Sequence, residues 1–188
     1  MAFSLIAACS GDSDEPAATT PPKAQPTAVP ATATQKPAEP VSNAVSVKIG
    51  LLSPQTGPLA VYASGFEDAA AVAISELNAS QDDYVYELVV ADSACDGTAA
   101  ATATQSLVDS GVSVIAGAAC SGATLGSIAV AAPAGVPMVS YASTSPAVTG
   151  ADDDGYLFRV VPSDAQQAVA LSQVVDSTGV SSPAVLYM

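Results

Sequence analysis

The stretch "VSVIAGAACSGATLGSIAVAAPAG", residues 112–135, decides the fold. A β-branched apolar run, "VSVIAG", reads as a buried strand. Small polar residues follow at Cys120, Ser121 and Gly122. A helix of small residues comes next, and Pro133 and Gly135 bring it to an end. Strand, short turn and helix of this kind form half of a βαβ unit. The same alternation continues in both directions. Upstream, "VSVKIGLL" (45–52) predicts a strand. "PLAVYASGFEDAAAVAISELN" (58–78) predicts a helix, with apolar spacing at Ala60, Ala63, Phe66, Ala70, Ile74 and Leu77. "YVYELVVAD" (84–92) predicts a second strand, and "GTAAATATQSLVDSG" (97–111) a helix with Gly111 as its C-terminal cap. Downstream come strands at "VPMVS" (136–140) and "YLFRV" (156–160). A helix follows at "SDAQQAVALSQVVDSTG" (163–179), capped by Ser163 or Asp164, and then a last strand at "PAVLY" (183–187). This order predicts an α/β fold: a doubly wound parallel sheet with helices on both faces.

Composition narrows the function. The 188 residues are 49 % apolar but poor in aromatics, so the core is built from small side chains. Eighteen acidic residues stand against four Lys and Arg, a net charge of −14, which leaves no basic footprint for nucleic acid. There is no histidine, which removes Ser-His-Asp and Cys-His catalysis and every His-ligated metal site. Neither a phosphate-cradling glycine loop nor a GxSxG elbow occurs. The run Asp152–Asp154 lacks calcium-loop spacing and reads as a solvated loop. The chain is therefore expected to be neither an enzyme nor a holder of a metal or cofactor.

The N-terminal third has a different character. "MAFSLIAACS" is an apolar run ending in Ile6-Ala7-Ala8-Cys9, the pattern of a bacterial lipobox whose cysteine carries lipid; the alternative is a chance cysteine at a frayed start. Residues 10–43 hold half of the chain's 14 prolines and cannot bury a core. They read as a disordered tether reaching roughly 30–35 Å. The expected organisation is a signal-peptide remnant at 1–9, a tether at 10–43 and a folded domain from residue 44.

In open parallel sheets, ligands bind beyond the carboxyl ends of the strands. That rule selects Ser53–Tyr62, Asp92–Asp96, Ala118–Gly122 and Ser140–Pro146. Ser121 and Gly122 lie where a helix begins, and free N–H groups with the positive end of the helix dipole favour an anion there. Ser143 and Thr144 add hydroxyls from the next strand. Several neutral donors converging without a bulky cation suit a carboxylate. Taken singly, each of these residues also fits a plain turn or cap. Cys95 and Cys120 follow strands two and three. If those strands are neighbours, the thiols share one sheet edge, either as a disulfide or as two buried free thiols.

Three segments carry a resemblance: "VKIGLLSPQTGPLAVYASGFEDAAAVAISELN", "ADSACDGTAAATATQSLVDSGVSVIAGAACSGAT" and "GVPMVSYASTSPAVT…GYLFRVVPSDAQQ". Together they resemble the N-terminal half of the leucine/isoleucine/valine-binding proteins. These are type 1 periplasmic binding proteins that feed branched-chain amino-acid ABC importers. The resemblance implies lobe 1 of a binding domain at 44–160 and the truncated start of lobe 2 at 161–188. It implies a disulfide between Cys95 and Cys120. It implies that Ser121 binds the ligand's α-carboxylate and that Ala142 and Thr144 contact carboxylate and ammonium, beside Ser143. Tyr62 would line the side-chain pocket. The implied partners are a small amino acid, ABC permease subunits and, through Cys9, a membrane. The implied location is the periplasm or cell surface. A ligand-sensing module of a signalling system is the alternative use of the same fold.

Overall fold

The computed structural model describes residues 44–184. Cys9, the tether and most of the last expected strand lie outside them. Five strands, β1 (Val45–Ser53), β2 (Tyr84–Asp92), β3 (Val114–Ala116), β4 (Met138–Ser140) and β5 (Leu157–Arg159), pair in the order β2-β1-β3-β4-β5, all parallel. The helices are α1 (Ala63–Ser80), preceded by a 3-10 turn at Ala60–Tyr62, then α2 (Gly97–Asp109), α3 (Ser121–Ala131), α4 (Pro146–Thr149) and α5 (Asp164–Thr178).

The strand order follows from the crossovers. Every β-helix-β connection in a parallel sheet turns right-handed. The first moves from β1 to its outer neighbour β2, and the next reverses direction to reach β3 on the other side of β1. Reversal puts α1 on one face and α2 and α3 on the other. The core forms on the α2–α3 side, from Leu52, Leu107, Ile115, Ile128, Val136 and Met138. Alternation along β1 is visible in the packing. A side chain at Gly50 would meet Leu107 and Ile115, so Gly50 and Leu52 face α2 while Leu51 points the other way.

Small residues let α2 and α3 touch through their backbones. A Cβ on Gly126 would lie 2.1 Å from the Gly97 carbonyl oxygen. The buried faces carry Ala100 and Thr104 on one helix, and Ala123, Ser127 and Ala131 on the other. The opposite sheet face is less covered: Phe158 and Val160, at 56 % and 72 % accessible, meet solvent. Helix α5 buries no residue, and Val169, Leu171 and Val174 are exposed along it.

Boundaries match the pattern closely. The last expected helix begins at a capping box in which Ser163 accepts from the Ala165 amide and Gln166 returns a bond to Ser163. The first expected helix begins later than its apolar spacing indicates, because residues 60–62 tighten into the 3-10 turn. Helix α4 was not foreseen: its single turn is set by Pro146 at the first position and the Ser145 cap, too short for any periodicity to register.

Candidate functional site

The carboxyl end of the sheet is assembled by bonds between its loops. Strands two and three are not neighbours: β1 lies between them, contrary to the condition under which the two thiols were expected to meet. Two strand spacings amount to roughly 9–10 Å. Ala94 and Cys95 close the gap with left-handed backbone, φ 48° and 57°, and the two cysteines form a disulfide with Cα atoms 5.3 Å apart. The bridge therefore spans the crevice where the sheet changes direction.

Asp92 ends β2 and fastens the first loop to the second. The Thr56 hydroxyl donates to one of its oxygens at 2.6 Å, while the amides of Thr56 and Ala94 donate to the other at 3.1 and 2.8 Å. Desolvation raises the Asp92 carboxyl, but the Thr56 hydroxyl and the amides of Ala94, Thr56 and Gln55 outweigh it and hold it below the usual carboxylate range. Gly57 follows at φ 83°, and a Cβ there would lie 2.3 Å from the Ala94 oxygen, so the loop needs glycine to dock.

Helix α3 starts at Ser121. Its N-cap, Cys120, supplies no side-chain cap, whereas Asp96, Ser145 and Ser163 cap α2, α4 and α5. The Ser121 hydroxyl accepts the Ser145 amide at 3.2 Å, which leaves its own proton to donate. Thr144 lies in the adjacent loop. Among the described residues no hydrogen bond takes its hydroxyl or the backbone of Ala142, and the Thr144 carbonyl accepts the Asp164 amide at 2.8 Å. The Ser145 amide thus joins the loop that carries Ala142 and Thr144 to the start of α3 at Ser121.

Ser143 sits beneath them. It is wholly buried, and its hydroxyl faces inward, 2.8 Å from the Thr124 hydroxyl and 3.1 Å from the Ala118 carbonyl. Ser140 joins the same cluster by donating to that carbonyl at 2.8 Å. Every member is satisfied, so the cluster rigidifies the floor under the two loops. Tyr62 is the N-cap of α1 and is 59 % accessible.

Sequence reasoning gave no role to four residues that build this edge: Asp92 and Tyr141, which lie inside segments the strand-end rule selected, and Thr124 and Arg159, which do not. The Tyr141 hydroxyl donates to the Leu52 carbonyl at 2.9 Å, and its ring packs on Phe66 at 4.9 Å. Burial, with the Glu67 charge added, pushes that phenol up to about 12. Arg159 donates to the Ser145 carbonyl at 3.0 Å and to the Thr149 hydroxyl. The available signal was a lone arginine in a chain of net charge −14. A cavity of about 310 Å³ beside Thr149, Phe158 and Arg159 contains none of the converging residues. No group of three or more metal-ligating side chains occurs among the described residues, and none of their helices is long and apolar enough to cross a membrane.

Comparison with known proteins bears on the family and the fold. Residues 46–188 match the family described as periplasmic binding protein. A leucine-, isoleucine-, valine-, threonine- and alanine-binding protein of Pseudomonas aeruginosa is 31 % identical over 126 residues, 65 % of this chain and 33 % of that protein. The chain thus spans about a third of that relative's length. Among solved structures, LivJ of Streptococcus pneumoniae in complex with isoleucine is similar at a TM-score of 0.58 and 36 % identity, covering 63 % of this chain and 34 % of that one. The leucine-binding protein LivK of Thermotoga maritima is similar at 0.60 and 29 %, covering 70 % and 37 %.

Proposed function

Because this chain belongs to the periplasmic binding protein family, we propose that it forms one wall of an extracytoplasmic binding site for a small amino acid, delivered to an ABC importer. The observation that carries the reading is the bond from the Ser145 amide to Ser121: it sets a hydroxyl with its proton free, at a helix start without a side-chain cap, against the loop of Thr144, whose hydroxyl no described residue takes. A carboxylate accepts from such donors through charge-assisted bonds. Isoleucine, bound to the Streptococcus pneumoniae protein, and leucine, for which the Thermotoga maritima protein is named, carry that group. Ala142 offers backbone groups to the same zwitterion, and Tyr62 borders its side chain. Residues 44–160 act as lobe 1 and residues 161–188 as the start of lobe 2, whose remaining elements supply the facing wall. Cys9 carries the lipid that holds the protein at the membrane, and residues 10–43 are the tether. The chain binds without turnover.

Calorimetric titration of the disulfide-intact protein, with the rest of lobe 2 present, with L-isoleucine and L-leucine tests the site. Saturable binding is expected, weakened at least roughly 100-fold by Ser121→Ala with Thr144→Ala, since each bond to a charged group contributes about 1.5–3 kcal/mol. Unchanged affinity in the double variant would sink the assignment.

A further inference from the structure

Arg159 is one of four cationic residues in a chain with eighteen acidic ones, yet it pairs with no carboxylate among the described residues. It ends β5, the last strand of the sheet, and its guanidinium reaches back across α4. One arm donates to the Ser145 carbonyl and the other to the Thr149 hydroxyl, so it holds both ends of the Ser145–Thr149 turn. Asp153 borders the same cavity but spends a carboxylate oxygen on the Gly155 amide. A guanidinium has the planar fork to grip two acceptors at once, which an ammonium lacks.

Two further bonds join the same pair of segments. The Val160 amide donates to the Ser140 carbonyl at 3.1 Å, and the Asp164 amide donates to the Thr144 carbonyl at 2.8 Å. The segment from β5 into α5 is therefore tied to the Ser140–Ser145 loop by Arg159 and by two bonds that follow it, at Val160 and Asp164. The Ser145 residue that Arg159 grips also donates its amide to the Ser121 hydroxyl. Thr144 thus has a free hydroxyl on one side and the start of α5 on the other.

We infer that Arg159 is a positioning residue that locks the Thr144–Ser145 turn to the β5–α5 segment, so that the hydroxyls of Ser121 and Thr144 and the first turn of α5 move as one body. The inference rests on the proposed role of those two hydroxyls in ligand binding. A ligand that stiffens Thr144 then stiffens the exit towards α5, and a change in the direction of α5 reaches the ligand through a single turn of chain.

The test is amide hydrogen exchange by NMR on the whole chain without ligand. Arg159→Lys keeps the charge and loses the fork. Thr149→Val removes one acceptor at an exposed position, and Thr149→Ser restores it. In Arg159→Lys and Thr149→Val, exchange at the Ser145 and Asp164 amides is expected to accelerate at least roughly tenfold. The Ile115 and Met138 amides, in the sheet core, keep their wild-type rates, and Thr149→Ser behaves as wild type. Unchanged rates at Ser145 and Asp164 would overturn the inference. So would a uniform acceleration that includes Ile115 and Met138, because Arg159 would then only stabilise the fold. Titration of the same variants with L-isoleucine is a separate arm. A wild-type protein with both lobes present that takes up no isoleucine refutes the proposed function, while the exchange rates still decide whether Arg159 couples the turn to α5. Where the wild type binds, Arg159→Lys is expected to weaken isoleucine roughly tenfold, and an unchanged affinity with faster exchange would refute the link to the ligand.

Discussion

Ser143 and Thr144 are adjacent hydroxyl residues with opposite fates. Ser143 turns into the Thr124–Ala118 cluster, while the Thr144 hydroxyl stays unoccupied beside Ser121. Ser143 keeps the loop in place, and among the described residues no bond takes the Thr144 hydroxyl. Asp92 does comparable work for the neighbouring loop, and its chemistry makes that work dependent on pH. Its carboxyl is held below its ordinary value of 3.8 in the folded chain. A lowered folded-state value contributes stability that is fully present above the unfolded value and is lost as pH falls through the folded one. Acid unfolding followed by circular dichroism below about pH 4 should therefore show a steeper loss in the wild type than in Asp92→Asn, which keeps an acceptor but cannot titrate. Parallel acid limbs would show that Asp92 contributes nothing to the loop's attachment.

The helices differ in what holds them. Helices α2 and α3 pack backbone to backbone, and Gly126 is where they meet. Even the methyl of Gly126→Ala would overlap the Gly97 carbonyl oxygen, and neither backbone yields without moving its helix. Over-packing of this kind costs about 1–3 kcal/mol. Gly126→Ala should lower the urea midpoint accordingly, whereas Gly65→Ala, with open space around its Cβ position on α1, should not lower it. An equal effect at both positions would assign the loss to helix start or propensity and not to packing. Helix α5 has the opposite character: a capping box, a left-handed Gly179 at its end and no buried residue. Local signals alone define its ends, and packing within the described residues adds nothing to it.

Across the molecule, the carboxyl edge of the sheet is a series of links. Asp92 joins the first loop to the second, the disulfide joins the second to the third, Ser121 joins the third to the fourth, and Arg159 joins the fourth to the exit towards α5. The disulfide is the covalent link among these, and its cysteines lie 25 positions apart in the sequence. In the chain-entropy account such a bridge is worth roughly 3.5 kcal/mol. Chemical denaturation of Cys95→Ser with Cys120→Ser should show a loss of that order, together with weaker isoleucine binding, because Cys120 adjoins Ser121. A variant that loses stability but binds as the wild type does would separate the staple from the site.

The alternation of strands and helices was legible from local chemistry. Apolar runs, periodic spacing, the Ser163 cap and the Gly111 stop each act within a few residues, and the strand-end rule then placed Ser121, Ala142 and Thr144 at one edge. Helix α4 escaped because one turn has no period. The strand order was decided by tertiary structure: β1 between β2 and β3 is a matter of crossover direction, which no run of residues encodes. The inward turn of Ser143, the Asp92 clasp on Thr56, the Tyr141 bond to Leu52 and the Arg159 grip on Ser145 were decided there too. These bonds join groups far apart in the chain, 36 residues for Thr56 and Asp92 and 89 for Leu52 and Tyr141. A polar side chain in an aperiodic loop has no preferred direction of its own, and its partner is whichever buried donor or acceptor the fold brings within reach.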